Sequence, residues 1–214
     1  MALADTIRIF PLAGAILFPR AQLPLHIFEP RYRNMTSDAL SGDRLIAMIQ
    51  PSGEPAADAE NPPIFRTGCL GRIDSSEKLE DGRYNIVLTG LTRFDVVEEL
   101  PVYRGYRRVI AEFEPYKSDL TEDRTSVIDR DRLLQMLDRF MTARSLRADW
   151  SMIAKTRDEP LVNALAMICP FSPQEKQALL ESTDLTQRCE VLTALLEFAA
   201  FGDGADAPGR PAAH

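Results

Sequence analysis

Apolar and polar residues alternate along short segments of the first half of the chain, and this pattern predicts strands. Tyr84, Ile86 and Leu88 lie on one face of such a segment, which follows the hairpin signal Asp81-Gly82. Several short strands separated by turn residues are typical of a small barrel or a curled sheet. The predicted strands are Thr6–Phe10, Arg44–Gln50, Thr67–Ile73, Tyr84–Thr89, Arg93–Glu99 and Gly105–Glu114.

Helical periodicity occurs once in the first half and dominates the second half. Pro30 begins the first predicted helix and Gly42 ends it, because proline suits a first helical position and glycine a helix end. Ser172 and Glu175 form a predicted capping box around Pro173. The other helical signals are the apolar stripe of Val127–Met141, candidate N-caps at Asp149 and Asp158, and Asp184 at the start of a last helix that ends near Phe201.

The change from strands to helices near residue 116 predicts two lobes and an α+β fold. Residues 1–116 form the predicted β lobe, and residues 117–202 form the predicted helical bundle lobe. Residues 203–214 are predicted to be a disordered tail. Pro51–Pro63 is polar and rich in proline, and it is predicted to be a mobile loop.

The segment Ile7–Met35 places four prolines among many apolar residues. Each proline fixes φ and removes a backbone donor, so the segment is predicted to be short extended pieces joined by rigid corners. Apolar side chains in such a segment cannot all point inward. We expect some to fill the core and at least two to stay accessible as a contact surface. The candidates are Leu17, Phe18, Leu23, Leu25, Ile27 and Phe28.

Charge and cysteine content narrow the possible partners. The 214 residues carry a formal net charge of -7, with 13 basic and 16 acidic residues in positions 1–115. Neither half is cationic, which argues against a broad electrostatic surface for nucleic acid or anionic lipid. No secretion signal and no apolar run long enough to cross a membrane is recognised, so we expect a cytoplasmic protein. Its three cysteines are expected to be buried free thiols.

Sequence motifs for catalysis or cofactor binding are weak. No phosphate-binding loop, dinucleotide fingerprint or nucleophile elbow occurs. One histidine within the predicted lobes and three scattered cysteines do not supply a metal site, so no cofactor is expected. Ser75 and Lys78 have the spacing of a serine–lysine pair, but they lie beside a predicted hairpin turn. His26 is expected to have a structural or merely exposed role.

The segment Tyr103–Arg108 interleaves aromatic residues with arginines. Such a patch could stack on RNA bases or pair with the carboxylates of a peptide. Alternate residues of a strand face opposite ways, so Arg107 and Arg108 cannot lie on one binding face. The expected role is a charged outer strand that pairs with nearby acidic residues.

Several distinctive sequence blocks follow one another along most of the chain. They are FPL…LFP…LPLHIFEPRYRNM up to Met35, DGRYNI at Asp81–Ile86, GLTRF at Gly90–Phe94, LVNAL at Leu161–Leu165 and EKQALLE at Glu175–Glu181. Together they resemble the N-terminal substrate-binding domain of the ATP-dependent protease Lon. Arg20 departs from the family pattern, which usually has glycine after LFP.

This resemblance implies a PUA-like β lobe, with one helix, followed by a helical bundle. It also implies that the protein holds unfolded or extended polypeptide segments and can self-associate. We expect a stand-alone relative without the ATPase and peptidase domains, and therefore no enzyme, which could work with a Lon-type protease in trans.

The leading hypothesis is thus a non-enzymatic polypeptide-binding module. Its predicted contact residues are Phe18, Arg20, Leu23, Leu25, Phe28 and Tyr106. An RNA-binding PUA-like protein is the first alternative, although the charge distribution speaks against it. A hydrolase with an unrecognised site is the second.

Overall fold

Strands form along alternating or continuously apolar segments, and several helices begin behind side-chain N-terminal caps. A computed structural model describes residues 6–53, 61–122 and 126–201, within which it has six strands and six α-helices. The strands are β1 Thr6–Pro11, β2 Gln22–Ile27, β3 Leu45–Ile49, β4 Thr67–Lys78, β5 Tyr84–Tyr103 and β6 Tyr106–Glu112. The helices are α1 Pro30–Leu40, α2 Arg130–Ala143, α3 Trp150–Lys155, α4 Asp158–Ile168, α5 Pro173–Glu181 and α6 Leu185–Phe201, with a 3₁₀ segment at Glu114–Leu120.

The strands form one mixed sheet in the order β2-β5-β4-β3-β1-β6. Among the described strands only β1 and β3 run parallel, and the long strand β5 pairs with β4 along its first half and with β6 along its second half. In contrast, β2 pairs with β5 alone. The described sheet therefore keeps an open edge at β2. The expected α+β class is confirmed at this level.

The core of the sheet consists of the apolar residues that the alternation predicted. Ile9, Ala47 and Phe94 are fully buried in it. The sequence pattern was wrong in two places. Gly90 does not separate two strands, because β5 continues through it. In addition, β2 is a regular strand that pairs with the sheet, whereas only short extended pieces between rigid corners were expected there.

Contacts divide the described residues into two compact units. The first unit contains the described residues of Met1–Thr125 together with Ala166–Glu181, so α5 belongs with the sheet. Gln177 Nε2 on α5 donates to the Thr67 carbonyl at 3.0 Å, and Gln50 Nε2 donates to the Pro173 carbonyl at 2.9 Å. This grouping differs from the linear division at residues 116 and 117, because Gln177 bonds to a carbonyl of β4 and Gln50 bonds to the first residue of α5.

The capping box at the start of α5 is confirmed. The Ser172 amide donates to Glu175 Oε2 at 2.7 Å, and the Glu175 amide donates to Ser172 Oγ at 3.2 Å. Asp149 caps α3 as predicted, by accepting from the Ser151 amide. Asp158 instead occupies the first residue of α4.

The second unit contains the described residues of Ser126–Leu165 and of Ser182–His214. Helices α2 and α6 pack against each other in it, and Leu133 and Phe140 are buried on α2. Arg130, the first residue of α2, joins this helix to α4 by pairing with Asp158 at 2.5 Å and to α3 by donating to the Ile153 carbonyl. The predicted tail at 203–214 lies outside the described residues, as does most of the predicted mobile loop.

Candidate functional site at the open edge of β2

A tight turn leads the chain into β2. The Ala21 amide donates to the Phe18 carbonyl at 3.1 Å, with Pro19 second in the turn and Arg20 third. Arg20 has a φ of 66°, which is the left-handed conformation that the third position of a type II turn requires and that glycine adopts most easily. The departure at Arg20 therefore falls on the residue of this corner with the strictest backbone requirement.

The same turn forms a bulge against β5. The Arg20 amide donates to the Gly90 carbonyl at 2.8 Å, and the Gly90 amide donates to the Ala21 carbonyl at 2.9 Å. This pattern, with a positive φ at the first of the two bulged residues, is that of a G1 bulge. A Cβ at Gly90 would overlap the Phe18 carbonyl. Glycine at this position thus lets the turn lie directly on β5 and aligns β2 with it.

A buried ion pair supports the turn from behind. Arg93 Nε and Nη2 each donate to the Asp119 carboxylate at 2.8 Å, and the Arg93 amide donates to it at 2.9 Å. Arg93 also donates to the Leu180 carbonyl at 3.1 Å, and Arg20 Nη1 donates to the Asp119 carbonyl. The pair therefore joins β5, the 3₁₀ segment, α5 and the turn before β2.

The predicted contact residues separate into accessible and inaccessible ones. Leu23 and Leu25 on β2 are half-buried, and Phe28, just after the strand, is 60% exposed. The Arg20 side chain is exposed, although its guanidinium is engaged. These four residues lie on β2 or directly beside it. Three of them are apolar, so the expectation that at least two apolar side chains of this segment stay accessible agrees with the structure.

Phe18 and Tyr106 must be removed from the predicted contact set. Phe18 has no exposed surface, and Tyr106 is 2% exposed. The Tyr106 hydroxyl donates to Asp38 Oδ2 at 2.9 Å. Burial, and then this hydrogen bond, raise the pKa of Tyr106 above its ordinary value. Both aromatic residues therefore have structural roles, which their sequence context did not reveal.

A row of polar side chains crosses the outer face of β2, β5 and β4. His26 Nδ1 lies 2.7 Å from Asn85 Oδ1, and Asn85 Nδ2 donates to Glu77 Oε2 at 3.0 Å. Arg83 Nη1 lies 3.2 Å from His26 Nε2. Since the Asn85 oxygen can only accept and Arg83 can only donate, the row fits a neutral His26 with its proton on Nδ1. Both ring nitrogens of His26 are thus in hydrogen-bond contact with neighbouring side chains.

A shallow groove of about 510 Å³ lies beside this row and runs along the same three strands. Its lining includes Pro24 and His26 from β2, Val87 from β5 and Ser75 from β4. The groove was not predicted, because the cross-strand register that brings these residues together depends on the bulge at Gly90. Leu25 also contributes to its wall.

The other candidate chemistry does not form a catalytic site. Ser75 and Lys78 are three residues apart on strand β4, so their side chains leave opposite faces. In the arginine segment, Arg104 pairs with Asp38, and Arg107 pairs with Glu99 at 2.6 Å. This pairing agrees with the expectation of a charged strand with acidic partners. No group of three potential metal ligands occurs among the described residues.

Comparison with known proteins places this chain in a family. A sequence model of the "ATP-dependent protease La (LON) substrate-binding domain" matches residues 6–197, which is most of the chain. The chain belongs to the Lon substrate-binding domain family. The resemblance that the sequence blocks indicated is thereby confirmed.

Full-length relatives give the same assignment. The Lon protease of Desulfosudis oleivorans is 30% identical over 200 residues, which cover 91% of this chain and 24% of that protein. Lon protease 2 of Myxococcus xanthus is 27% identical over 191 residues, which cover 88% of this chain and 23% of that protein. The chain thus spans about a quarter of the length of the curated relatives that it matches.

Solved structures of Lon domains share the fold. A Lon N-terminal domain protein from Xanthomonas campestris superposes with a TM-score of 0.60 at 20% identity, covering 89% of this chain and 98% of that one. The N-terminal domain of Mycobacterium avium complex Lon protease gives a TM-score of 0.57 at 14% identity, covering 89% and 97%. Among the described residues, no helix is both long and apolar enough to cross a membrane.

Proposed function

We propose that this member of the Lon substrate-binding family binds extended or partly unfolded polypeptide without itself catalysing a reaction. The observation that carries the proposal is the accessible apolar surface of Leu23 and Leu25 on the edge strand β2 and of Phe28 just after it. Exposed apolar surface that is held in place by a rigid scaffold is characteristic of protein contact sites. The turn at Phe18–Ala21 and the bulge at Gly90 supply that scaffold.

Binding at this surface would be weak for any single segment. Burial of apolar surface contributes about 25 cal/mol per Å², and the ordering of a flexible ligand opposes it. A site of this kind suits transient capture of many sequences. We include in the proposal that the β lobe is PUA-like, that the protein is cytoplasmic, that it self-associates weakly and that it acts with a Lon-type protease in trans.

RNA binding and hydrolysis have less support. Arg104 and Arg107 are engaged by carboxylates, which reduces the positive potential that a nucleic acid would meet. His26 has both ring nitrogens in hydrogen bonds. Lys78, the residue spaced to activate Ser75, has its side chain on the opposite face of the strand. Neither alternative is favoured by a specific contact.

The proposal is tested by charge substitution on the accessible surface. Leu25→Asp and Phe28→Asp are compared with Val97→Asp, which places the same charge on a 62% exposed residue of the half of β5 that pairs with β6. Binding to a permanently unfolded, reduced and carboxymethylated protein is measured by fluorescence anisotropy. Circular dichroism first verifies that each variant is folded.

Loss of binding by about tenfold or more is expected for Leu25→Asp and Phe28→Asp, with little change for Val97→Asp. Equal affinity in all folded variants would remove this surface from the proposal. No measurable association of the unsubstituted protein with unfolded polypeptide would refute the function itself.

A further inference from the structure

The backbone of β2, and not only its side chains, is available to a ligand. β2 is the end strand of the described sheet, with β5 as its single neighbour. Gln22, Pro24 and His26 are all exposed along it. An end strand leaves every second N–H and C=O group without a strand partner. The pairing register identifies which groups these are.

The bulge fixes the alternation of bonded and non-bonded positions. Because the Gly90 amide donates to the Ala21 carbonyl, the backbone N–H and C=O groups of Ala21 point towards β5. Bonded positions in an antiparallel pair recur every second residue, so the backbone groups of Leu23, Leu25 and Ile27 also point towards β5. The backbone groups of the residues between them then point away from the sheet.

Pro24 supports the same assignment independently. Proline has no N–H, and within sheets it occupies edge positions where the missing donor would face away from the neighbouring strand. Pro24 lies opposite Val87 in the register, at one of the positions assigned to the open side. The open side of β2 therefore offers two donors, the amides of Gln22 and His26, and three acceptors, the carbonyls of Gln22, Pro24 and His26.

We infer that β2 takes up an extended polypeptide segment as an additional antiparallel strand of the sheet. This inference rests on the proposed function and specifies its ligand. Five consecutive residues of the segment are concerned, here called ligand positions one to five. Positions one, three and five donate their amides to the three carbonyls of β2, and positions one and five accept from its two amides.

Side-chain preference follows from the same register. Residues directly opposite each other on antiparallel strands have side chains on the same face of the sheet. Ligand positions two and four therefore lie beside Leu25 and Leu23, and apolar residues are preferred there. Positions one, three and five lie beside His26, Pro24 and Gln22, where polar residues are accepted but proline is excluded, because each must donate its amide.

Pairing of two β2 strands from separate copies is a poorer use of this edge. In a symmetric antiparallel pair centred on Pro24, the two Pro24 carbonyls would face each other with no donor between them. Proline on an edge strand is a known device against edge-to-edge association. A ligand with a free amide at position three satisfies the Pro24 carbonyl instead, so the edge is complementary to another polypeptide rather than to itself.

The inference is tested with N-methylated peptides. The probe is a fluorescein-labelled, acetylated peptide with the core Thr-Val-Ser-Leu-Lys, added to the full chain up to millimolar concentration. Five further peptides each carry one N-methyl group, at core positions one to five. Methylation removes one donor and adds bulk at that backbone position, but leaves the side chain unchanged, so positions two and four are matched controls for one, three and five.

Binding is expected to weaken about tenfold when position one, three or five is methylated and to change little for positions two and four. Equal binding by all six peptides, combined with loss of binding in Leu25→Asp, would reject strand addition while leaving the proposed function intact. A methylation pattern without the two-residue period would also reject it. Absence of binding by the unmethylated peptide and by unfolded protein alike would overturn both proposals.

Discussion

Removal of the Asp119 carboxylate should destabilise the first unit more than any other single charge deletion that the described contacts suggest. The Arg93 and Asp119 side chains are 4% and 8% exposed, and they make two side-chain hydrogen bonds of 2.8 Å. Asp119→Ala leaves the guanidinium buried without a counter-ion and the Arg93 amide without its acceptor. Breaking a buried pair in this way costs about 3–5 kcal/mol in the free energy of unfolding.

Replacing both partners should cost much less than replacing one. In Arg93→Met with Asp119→Leu, no charge remains buried, and similar apolar volume fills the site. The Arg93 backbone amide still loses its bond to the carboxylate, which costs about 1–3 kcal/mol. The double variant should therefore be more stable than Asp119→Ala, by about 2 kcal/mol.

The assay must report on the first unit alone. Trp150 lies in the second unit, so its fluorescence would follow other residues. Hydrogen exchange of β5 peptides across a urea series gives the required free energy. Glu114→Ala, which breaks an exposed pair with Lys117, is the matched control and should change little. If Asp119→Ala is no worse than Glu114→Ala, the Arg93–Asp119 pair does not hold the turn as described.

Three further substitutions test the corner and its surroundings. Gly90→Ala should lower the free energy of unfolding in urea by about 3 kcal/mol, because the added Cβ would overlap the Phe18 carbonyl. Gly42→Ala, whose Cβ would make only ordinary contacts, is the control and should be tolerated. Equal costs for the two would contradict the close approach of Phe18 to Gly90. Arg20→Gly should be about 1 kcal/mol more stable than Arg20→Ala, since both lose the guanidinium and only alanine keeps a strained positive φ; equal stability would remove the strain argument. Burial lowers the pKa of Lys176, so the unfolded chain holds that proton more tightly than the folded protein does. The free energy of unfolding should therefore rise with pH between the lowered pKa and the ordinary lysine pKa of 10.5. Lys176→Met should abolish this rise, and parallel pH profiles for both proteins would refute the assignment.

Elements with strong local signals were predictable from the sequence. The capping box at Ser172 determines where α5 begins, and the two-residue alternation determines which side chains of β1 and β6 enter the core. Both signals depend on neighbouring residues only. What the sequence could not show was that α5 belongs with the sheet, because Gln177 bonds to a strand carbonyl 110 positions away.

The errors at Gly90 and Pro24 have a common origin. Each residue breaks regular structure in isolation, and each is accommodated here by its neighbours. Gly90 stays within β5 because the turn at Phe18 lies against it, and Pro24 stays within β2 because no strand on its open side needs a donor. A rule based on single residues therefore predicted a strand break at Gly90 and no strand of the sheet at Pro24.

Only part of the predicted contact set is accessible in the structure. Leu23, Leu25 and Phe28 were identified as contacts, and they remain accessible. Phe18 was chosen by the same reasoning and is buried, since proximity along a proline-rich segment does not determine which side of a turn a residue faces. The sequence did contain an indication of this turn at Arg20, the residue after LFP. The family usually has glycine there, and the backbone of Arg20 is left-handed.

The amide exchange rates of β2 test the central claim most directly. In the free protein, the Gln22 and His26 amides point to solvent and should exchange fast, whereas the Leu23 and Leu25 amides bond to β5 and should exchange slowly. Saturation with the Thr-Val-Ser-Leu-Lys peptide should slow exchange at Gln22 and His26, observed residue by residue by NMR. Protection that arises elsewhere, with both of these amides still exchanging at their free rates, would contradict polypeptide binding at the edge of β2.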